Sequence, residues 1–236
     1  MKKFELTTEF ITNFLGTKLF RIKALVEFGD VEKGELGGFV EKEENLDHAG
    51  DAWVYGNASV SDDARVSGNA RVSGNASVSG NARVSGNARV SGNARVYGNA
   101  RVYDDAWVYG NAWVYDDARV YDDAWVYGNA WVYDDARVYD DAWVSDDARV
   151  SGNASVSGNQ MYATVKGFGS EYRNTTFFVT KDGNVCVNCG CFSGTLDQFR
   201  EKVKETHKDT KYAKEYLKIA DLMEMHFKEE LEKIKK

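Results

Sequence analysis

Residues 111–128 read NAWVYDDARVYDDAWVYG, and residues 129–146 repeat them almost unchanged as NAWVYDDARVYDDAWVSD. Inside this long period lies a shorter one. From Val54 to Val156 a valine falls at every sixth residue, eighteen times without a slip, and an alanine stands two residues before each. Self-similarity at a fixed short period marks a solenoid. A spacing of six does not supply the 3.6-residue period of an amphipathic helix, whereas Ala and Val two apart share one side of a strand. The hexad V-[YS]-[GD]-[ND]-A-[RWS] also carries its own corner, because Gly, Asn and Asp accept left-handed backbone conformations. Three hexads per coil predict a mainly β, triangular parallel β-helix of about six coils, rising about 4.8 Å each over about 29 Å. The valines and alanines fill its interior, each buried valine contributing about 1.5–3 kcal/mol. Proline is absent, which suits strands paired on both edges.

Composition sets outer limits. The 236 residues carry a formal net charge of −7 and are 43% apolar and 28% charged, as expected of a soluble folded protein. No apolar run is long enough to span a bilayer, and the start, MKKFELTTEFITNF, is interrupted by polar residues unlike the core of a signal peptide. Cytoplasmic residence without membrane attachment is the expectation. The three cysteines crowd into one stretch and fit no secreted disulfide framework.

Three regions follow one another. Residues 1–47 are non-repetitive, with a strand-like run KLFRIKALVEF and a Gly-rich turn, and are expected to cap the first coil. His48 stands in the frame of the core valines and is expected to point inward at the join. Residues 48–160 form the solenoid. Residues 161–236 read as a small α+β domain, with strands in YATVKGF, TTFFVT and NVCVNCGCF, then two helices. The first helix opens on the capping-box pattern Thr195–Gln198, with Leu196, Phe199 and Val203 on one face. The second begins near Lys211 and repeats Tyr212, Tyr216, Ile219, Met223, Phe227 and Ile234, a stripe for packing on the sheet or for joining copies.

The hexads resemble those of the left-handed β-helix in hexapeptide-repeat proteins, although Gly sits at i+2 after the valine where that family usually has it at i+1. The opening RIKALVEFGDVEKGELGGFVEKEENLDHAGDAWVYGNA resembles the start of hexapeptide-repeat proteins carried by phages and prophages. The tail GFGSEYRNTTFFVTKDG…CGCFSGTLDQF…ETHKDTKYAKEY resembles a domain that accompanies them. The resemblance implies a phage-encoded accessory protein of a class mostly without assigned activity, and it carries no catalytic residue across.

Equivalent positions of successive coils stack on one face, which sorts the outward residues. One face carries Arg65, Arg83, Arg101, Arg119 and Arg137 beside Tyr103, Tyr121 and Tyr139. The other two carry Trp107, Trp125 and Trp143, and Trp113 and Trp131, so that all six tryptophans, Trp53 included, are expected to face outward. Asp-Asp corners bracket the arginine ladder on both sides. Alternating charge then relieves repulsion within each ladder and gives the pattern a structural purpose. Alternatively Arg, Tyr and Trp form a binding surface, being the residues enriched at interface hot spots, and an exposed aromatic patch suggests a partner.

A protein partner suits the surface best. Within the repeats 15 Asp stand against 9 Arg and no Lys, which disfavours nucleic acid. A small anionic ligand held by Arg and an aromatic, a calcium ion at the Asp ladders and mimicry of DNA are the other readings. Cys186, Cys189 and Cys191 with His207 offer a partial zinc pattern, and small thiols packed within strands are the plainer account. The segment Cys191–Thr195 at a helix start offers an anion cradle beside Arg173. Acyl transfer, common among left-handed β-helix proteins, lacks an interior histidine and a loop between coils here; His48 would be its base. The expectation is thus a non-enzymatic binding protein without a cofactor, which presents Arg, Tyr and Trp ladders to a host protein, with counter-defence as its purpose. A scaffold or filament is the alternative, and the C-terminal helices offer a route to homo-oligomers.

Overall fold

A computed structural model describes residues 1–234. Eighteen two-residue strands, one per hexad, recur between its terminal regions, from Trp53–Val54 to Ser155–Val156. Each pairs in parallel with the equivalent strands of the coils above and below: Arg101 lies between Arg83 and Arg119, and Val102 between Val84 and Val120. Three stacked sheets enclose a prism whose alanines and valines are 0–1% exposed. The intervening residues point outward. At each corner the first residue has positive φ, whether glycine (Gly92, 70°) or aspartate (Asp122, 56°), which is the left-handed region these residue types tolerate best.

The N-terminal region adds about one more turn than the hexads predict. Strands β1 (Phe4–Thr12), β2 (Lys18–Ala24) and β3 (Leu36–Val40) precede the repeats. Strand β3 joins the parallel stack, Phe39 opposite Ser59 and Val40 opposite Val60, and β2 and β1 continue it antiparallel. Leu46 bridges to Val66. These pairings span two positions more than the regular coil, and the shift corrects the expectation for His48. Leu46 takes the core position, 1% exposed. His48 is displaced to the rim, where it stacks on Phe4 at 4.5 Å and keeps a third of its side chain exposed. An imidazole in the valine column would lack partners for its polar nitrogens; at the rim its Nδ1 accepts from the Lys3 amide at 3.2 Å.

Burying the first coil raises a hydrogen-bonding problem. Within the prism the carbonyls of the alanines and valines accept from the coil before them. The first coil has no predecessor, so the cap supplies donors one by one. Lys3 Nζ donates to Gly50 O and Ala52 O at 3.2 and 2.9 Å. The Phe39 and Glu41 amides donate to Ala58 O and Val60 O. Asn45 Nδ2 donates to Asp62 O and Ala64 O at 3.0 and 2.8 Å, and the Asp47 amide to Val66 O. Asn45 and Lys3 are 0% and 3% exposed. Both are polar groups tolerated inside because each satisfies two carbonyls.

The other end needs acceptors as well as donors. Here four strands form an antiparallel sheet against the last coil: Tyr162–Val165, Thr175–Val179, Val185–Cys189 and Phe192–Thr195. Thr176 Oγ1 accepts from the Arg149 amide at 3.0 Å, Asn188 Nδ2 donates to Arg149 O at 2.9 Å, and Asn159 Oδ1 accepts from the Trp143 amide at 2.9 Å. Helices α1 (Leu196–His207) and α2 (Lys211–Ile234) cover the outer side, burying Phe199, Val203, Tyr216, Met223 and Phe227. Thr195 and Gln198 exchange both bonds of the capping box. Of the segment Cys191–Thr195, read either as an anion cradle or as an ordinary capped helix start, residues 192–195 form the fourth strand, paired with Val185–Cys189. This is an edge strand, paired on one side, and the capping box holds the amides of Thr195 and Gln198. Among the described residues no helix is long and apolar enough to cross a membrane.

Two outcomes test this capping. Asn45→Leu orphans two carbonyls under the cap and should cost about 2–6 kcal/mol, at about 1–3 kcal/mol per unsatisfied group, read as a lowered denaturation midpoint; His48→Leu should cost far less. Burial, opposed by the nearby Asp47 and Asp51, pushes the Lys3 ammonium down to about 8 from 10.5. Between those values the unfolded chain binds more protons, so stability should rise as pH goes from 8 towards 10. Lys3→Met should remove that rise.

Candidate functional site

The outward positions inherit the coil spacing. Tyr103 stacks on Tyr121 at 4.9 Å between ring centroids and Tyr121 on Tyr139 at 5.1 Å, the planes within 5°. Trp107, Trp125 and Trp143 stack at 5.0 and 5.4 Å on the first tryptophan face, and Trp113 and Trp131 at 5.1 Å on the second. The sequence reading missed two further ladders, Tyr97–Tyr115–Tyr133 and Tyr109–Tyr127. Their signal was present in the tyrosine that follows each valine. Three of these tyrosines meet a tryptophan of the next coil edge-on, Tyr97 with Trp113, Tyr109 with Trp125 and Tyr115 with Trp131, at 6.1–6.2 Å.

Arginines close the tryptophan stacks. Arg89 lies over Trp107 at 4.7 Å, Arg95 over Trp113 at 4.9 Å and Arg149 over Trp131 at 4.9 Å, each a cation–π contact worth about 0.5–1 kcal/mol at an exposed site. The second tryptophan face therefore reads Arg95–Trp113–Trp131–Arg149, cation to cation through two indoles. The two tryptophan faces meet at an uncharged corner, Tyr109–Gly110–Asn111 and Tyr127–Gly128–Asn129, where Asn93, Asn111 and Asn129 pass a side-chain hydrogen bond from coil to coil. Aromatic surface thus wraps around one edge of the prism.

This spacing limits what the rings can do. A planar group inserted between two rings needs a gap of roughly 7 Å, two contact distances of about 3.5 Å. At 4.9–5.4 Å the ladders admit none. Bases cannot intercalate, and the rings offer edges rather than faces along their length. Trp143 at the end of its stack is the most open, 47% exposed.

Trp53 departs from the expectation that all six tryptophans face solvent. It is 0% exposed, because the N-terminal region folds over the first tryptophan face and packs Phe28 and Phe4 against it at 5.4 and 6.2 Å. Its Nε1 has no partner among the described residues.

The arginine face holds Arg65, Arg83, Arg101, Arg119 and Arg137 in one ladder, as the period requires. The ladder makes no direct ion pair with the flanking aspartates among the described residues. Among the described residues none of these five arginines lies within 4.0 Å of a carboxylate; on the solenoid only Arg71 does so, with Asp30 of the N-terminal region at 2.7 Å. The aspartates have other partners. Where an asparagine stands one coil earlier, the second residue of the corner continues the amide ladder, Asp105 accepting from Asn87 at 3.0 Å and Asp117 from Asn99 at 3.1 Å. Asp62 and Asp134 accept from the amides of Gly80 and Gly152.

Two depressions adjoin these faces. One, ≈ 590 Å³, opens at the start of the arginine ladder between Arg65, Arg83 and the Glu43–His48 rim. The other, ≈ 490 Å³, lies under the β1–β2 hairpin, beside Arg95, Tyr97 and Trp113. The hairpin tip above it leaves Phe14 and Leu15 96% and 71% exposed.

The cysteines do not assemble as a ligand set. Cys186 and Cys189 are three apart on one strand and so point to opposite sides of the sheet. Cys189 accepts from Thr175 Oγ1 at 3.2 Å and lies 3.8 Å from the Tyr216 hydroxyl, and burial pushes the Cys186 thiol up. His207 and Cys191 line a cleft with Arg173 and Tyr216. Among the described residues no three His, Cys, Asp or Glu side chains are placed to hold a metal.

A family model described as the YdcK beta solenoid repeat matches residues 64–80, 76–92, 82–98, 88–104, 94–110, 112–128, 118–134 and 130–146. All these matches fall within the regular coils and leave both caps outside. The repeats are therefore similar to those of a β-solenoid repeat family. No curated protein matches the chain.

The stacked phenols give a direct test of the ladders in solution. Burial, with the neighbouring Tyr103 and Tyr139 hydroxyls, pushes Tyr121 up to about 12 from 10.0. Tyr115 rises for the same kind of reason, burial first and then the phenols of Tyr133 and Tyr97. Phenolate absorbance should show a late step near pH 12 that Tyr121→Phe diminishes. Folded pKa above unfolded means that this contribution to stability is constant below pH 10 and falls as pH rises from 10 towards 12.

Proposed function

We propose that the protein is a non-enzymatic binding module whose solenoid offers Arg, Tyr and Trp ladders to another protein. The observation that carries the reading is the pair of tryptophan faces joined round an uncharged corner. Four of their indoles (Trp107, Trp113, Trp125, Trp131) are half-buried by one another and open to solvent at their edges. Indole and guanidinium held rigid before binding lose little entropy when a partner arrives. Their order costs the complex nothing further, because the coil spacing has already imposed it. The closed ring spacing turns the choice away from nucleobases and towards a protein surface that meets ring edges and guanidinium groups.

The likeness of both terminal regions to phage-carried proteins supports a host protein as the partner, met in the cytoplasm, with counter-defence as the purpose. The test is an affinity pull-down from bacterial host lysate with mass spectrometry, run beside a variant with Trp107, Trp113, Trp125 and Trp131 changed to Ser. Serine already fills the outward position at Ser59, Ser77 and Ser155, so the variant should fold. A partner kept by the wild type and lost by the variant is the expected result. Equal capture by both moves recognition off the tryptophan faces and refutes the proposal.

A further inference from the structure

The third face carries a different message. The pentapeptide Arg-Val-Tyr-Asp-Asp occurs at 101–105, 119–123 and 137–141, each one coil after the last. On the same face the two coils before them read Arg-Val-Ser-Gly-Asn, at 65–69 and 83–87. Three consecutive coils therefore present three parallel columns: guanidinium, phenol and paired carboxylates. The phenol column is stacked at 4.9–5.1 Å, which fixes the rung spacing of the other two. Arg101 and Arg137 are exposed, as are Asp104, Asp105, Asp140 and Asp141.

None of these arginines or aspartates takes part in a salt bridge among the described residues, although they alternate along every coil. A strip of positive charge and a strip of negative charge lie side by side, separated by tyrosines, and a shorter acidic strip, Asp116–Asp117 and Asp134–Asp135, borders the arginines on their other side. Each consists of like charges held about 5 Å apart along the rod.

We propose that this face binds a second copy of the chain, side by side, about a two-fold axis parallel to the rod. Such an axis preserves height along the rod, so rung meets rung without mismatch. It also reverses left and right, so that with a displacement of half a face the arginine column of each copy lies over the Asp-Asp column of the other. Arg101, Arg119 and Arg137 meet the second copy's equivalents of Asp104–Asp105, Asp122–Asp123 and Asp140–Asp141, and the reciprocal contacts form by symmetry, as an isologous interface requires. The tyrosine columns fall between them, supplying the aromatic centre that charged rims alone lack. A partner of any other architecture would have to reproduce the coil repeat over three rungs, whereas a second copy does so by construction. The N-terminal hairpin leaves this face uncovered, since it lies beside Ser59, Ser77 and Arg95 of the second tryptophan face. The arrangement is independent of the host-protein reading, because both tryptophan faces stay outward in the pair.

Sedimentation equilibrium of the full chain tests it. The wild type should dimerise, with Kd rising more than about tenfold between about 50 mM and about 500 mM NaCl as the charges are screened. Two variants use residues the chain already carries at the equivalent hexad positions, which protects their fold. One carries Arg101→Ser, Arg119→Ser and Arg137→Ser. The other has Gly-Asn corners, through Asp104→Gly, Asp105→Asn, Asp122→Gly, Asp123→Asn, Asp140→Gly and Asp141→Asn. Each alone should be monomeric with an unchanged far-UV circular dichroism spectrum. Mixed, they should recover a one-to-one dimer weaker than that of the wild type, because the one retained acidic column meets the one retained basic column while the reciprocal set is absent. A monomeric wild type at low salt overturns the proposal. So does a dimer that survives in either variant, or a mixture that stays monomeric while both variants are folded.

Discussion

Each coil of the solenoid supplies the hydrogen-bond partners of the next, and every other feature of the molecule depends on that relay. It holds equivalent positions of neighbouring coils about 5 Å from one another, which is why a six-residue period becomes three flat faces. It also leaves a set of orphaned groups at each end of the rod. The cap at the start is a sequence of donors matched to the carbonyls of the first coil, with the Lys3 ammonium and the Asn45 amide doing at two corners what the β3 backbone does at the third. The cap at the end mixes acceptors and donors drawn from Thr176, Asn159 and Asn188. The two caps are chemically unlike because the two ends of a parallel stack are unlike.

Legibility followed the repeat. Where eighteen hexads state the same rule, the core, the coil length, the three faces and the ladder members could all be read from residue spacing. The first misreadings occur where the period stops. A shift of two positions places Leu46 rather than His48 in the core, and nothing in the hexad frame announces it; only the apolar character of Leu46 beside the polar run at Glu43–Asn45 hints at the change. Burial of Trp53 depends on a segment that folds back from outside the repeat. The missing ion pairs between the described Arg and Asp ladders have another cause. Alternating Arg and Asp along the chain looks like pairing, but in a solenoid neighbours in sequence are separated by a corner while neighbours in space lie a whole coil away. Among the described residues the aspartates serve corners and amide ladders or pair with lysines of the terminal regions, and the arginines, apart from Arg71 on Asp30, stand alone or over indoles.

The surface is consequently divided in two. Around one edge run indoles, phenols and asparagine amides, with arginines closing the stacks. On the opposite face run separate strips of positive and negative charge. The first surface suits recognition of something unlike the rod, and the second suits something with the rod's own repeat. Rigid presentation serves both, since the stacked rings are ordered before any partner arrives.

A prism assembled this way can change length only in fixed increments without altering its character. Gain or loss of a whole coil moves the two caps apart or together by one rung and returns every outward side chain to its own face. Gain or loss of a single hexad preserves the valine core equally well but rotates all later residues by one face, so that indoles would continue a guanidinium column. The near-identity of residues 111–128 and 129–146 shows the first kind of step. The coil, not the hexad, is therefore the unit in which this chain can grow and still keep its surfaces distinct.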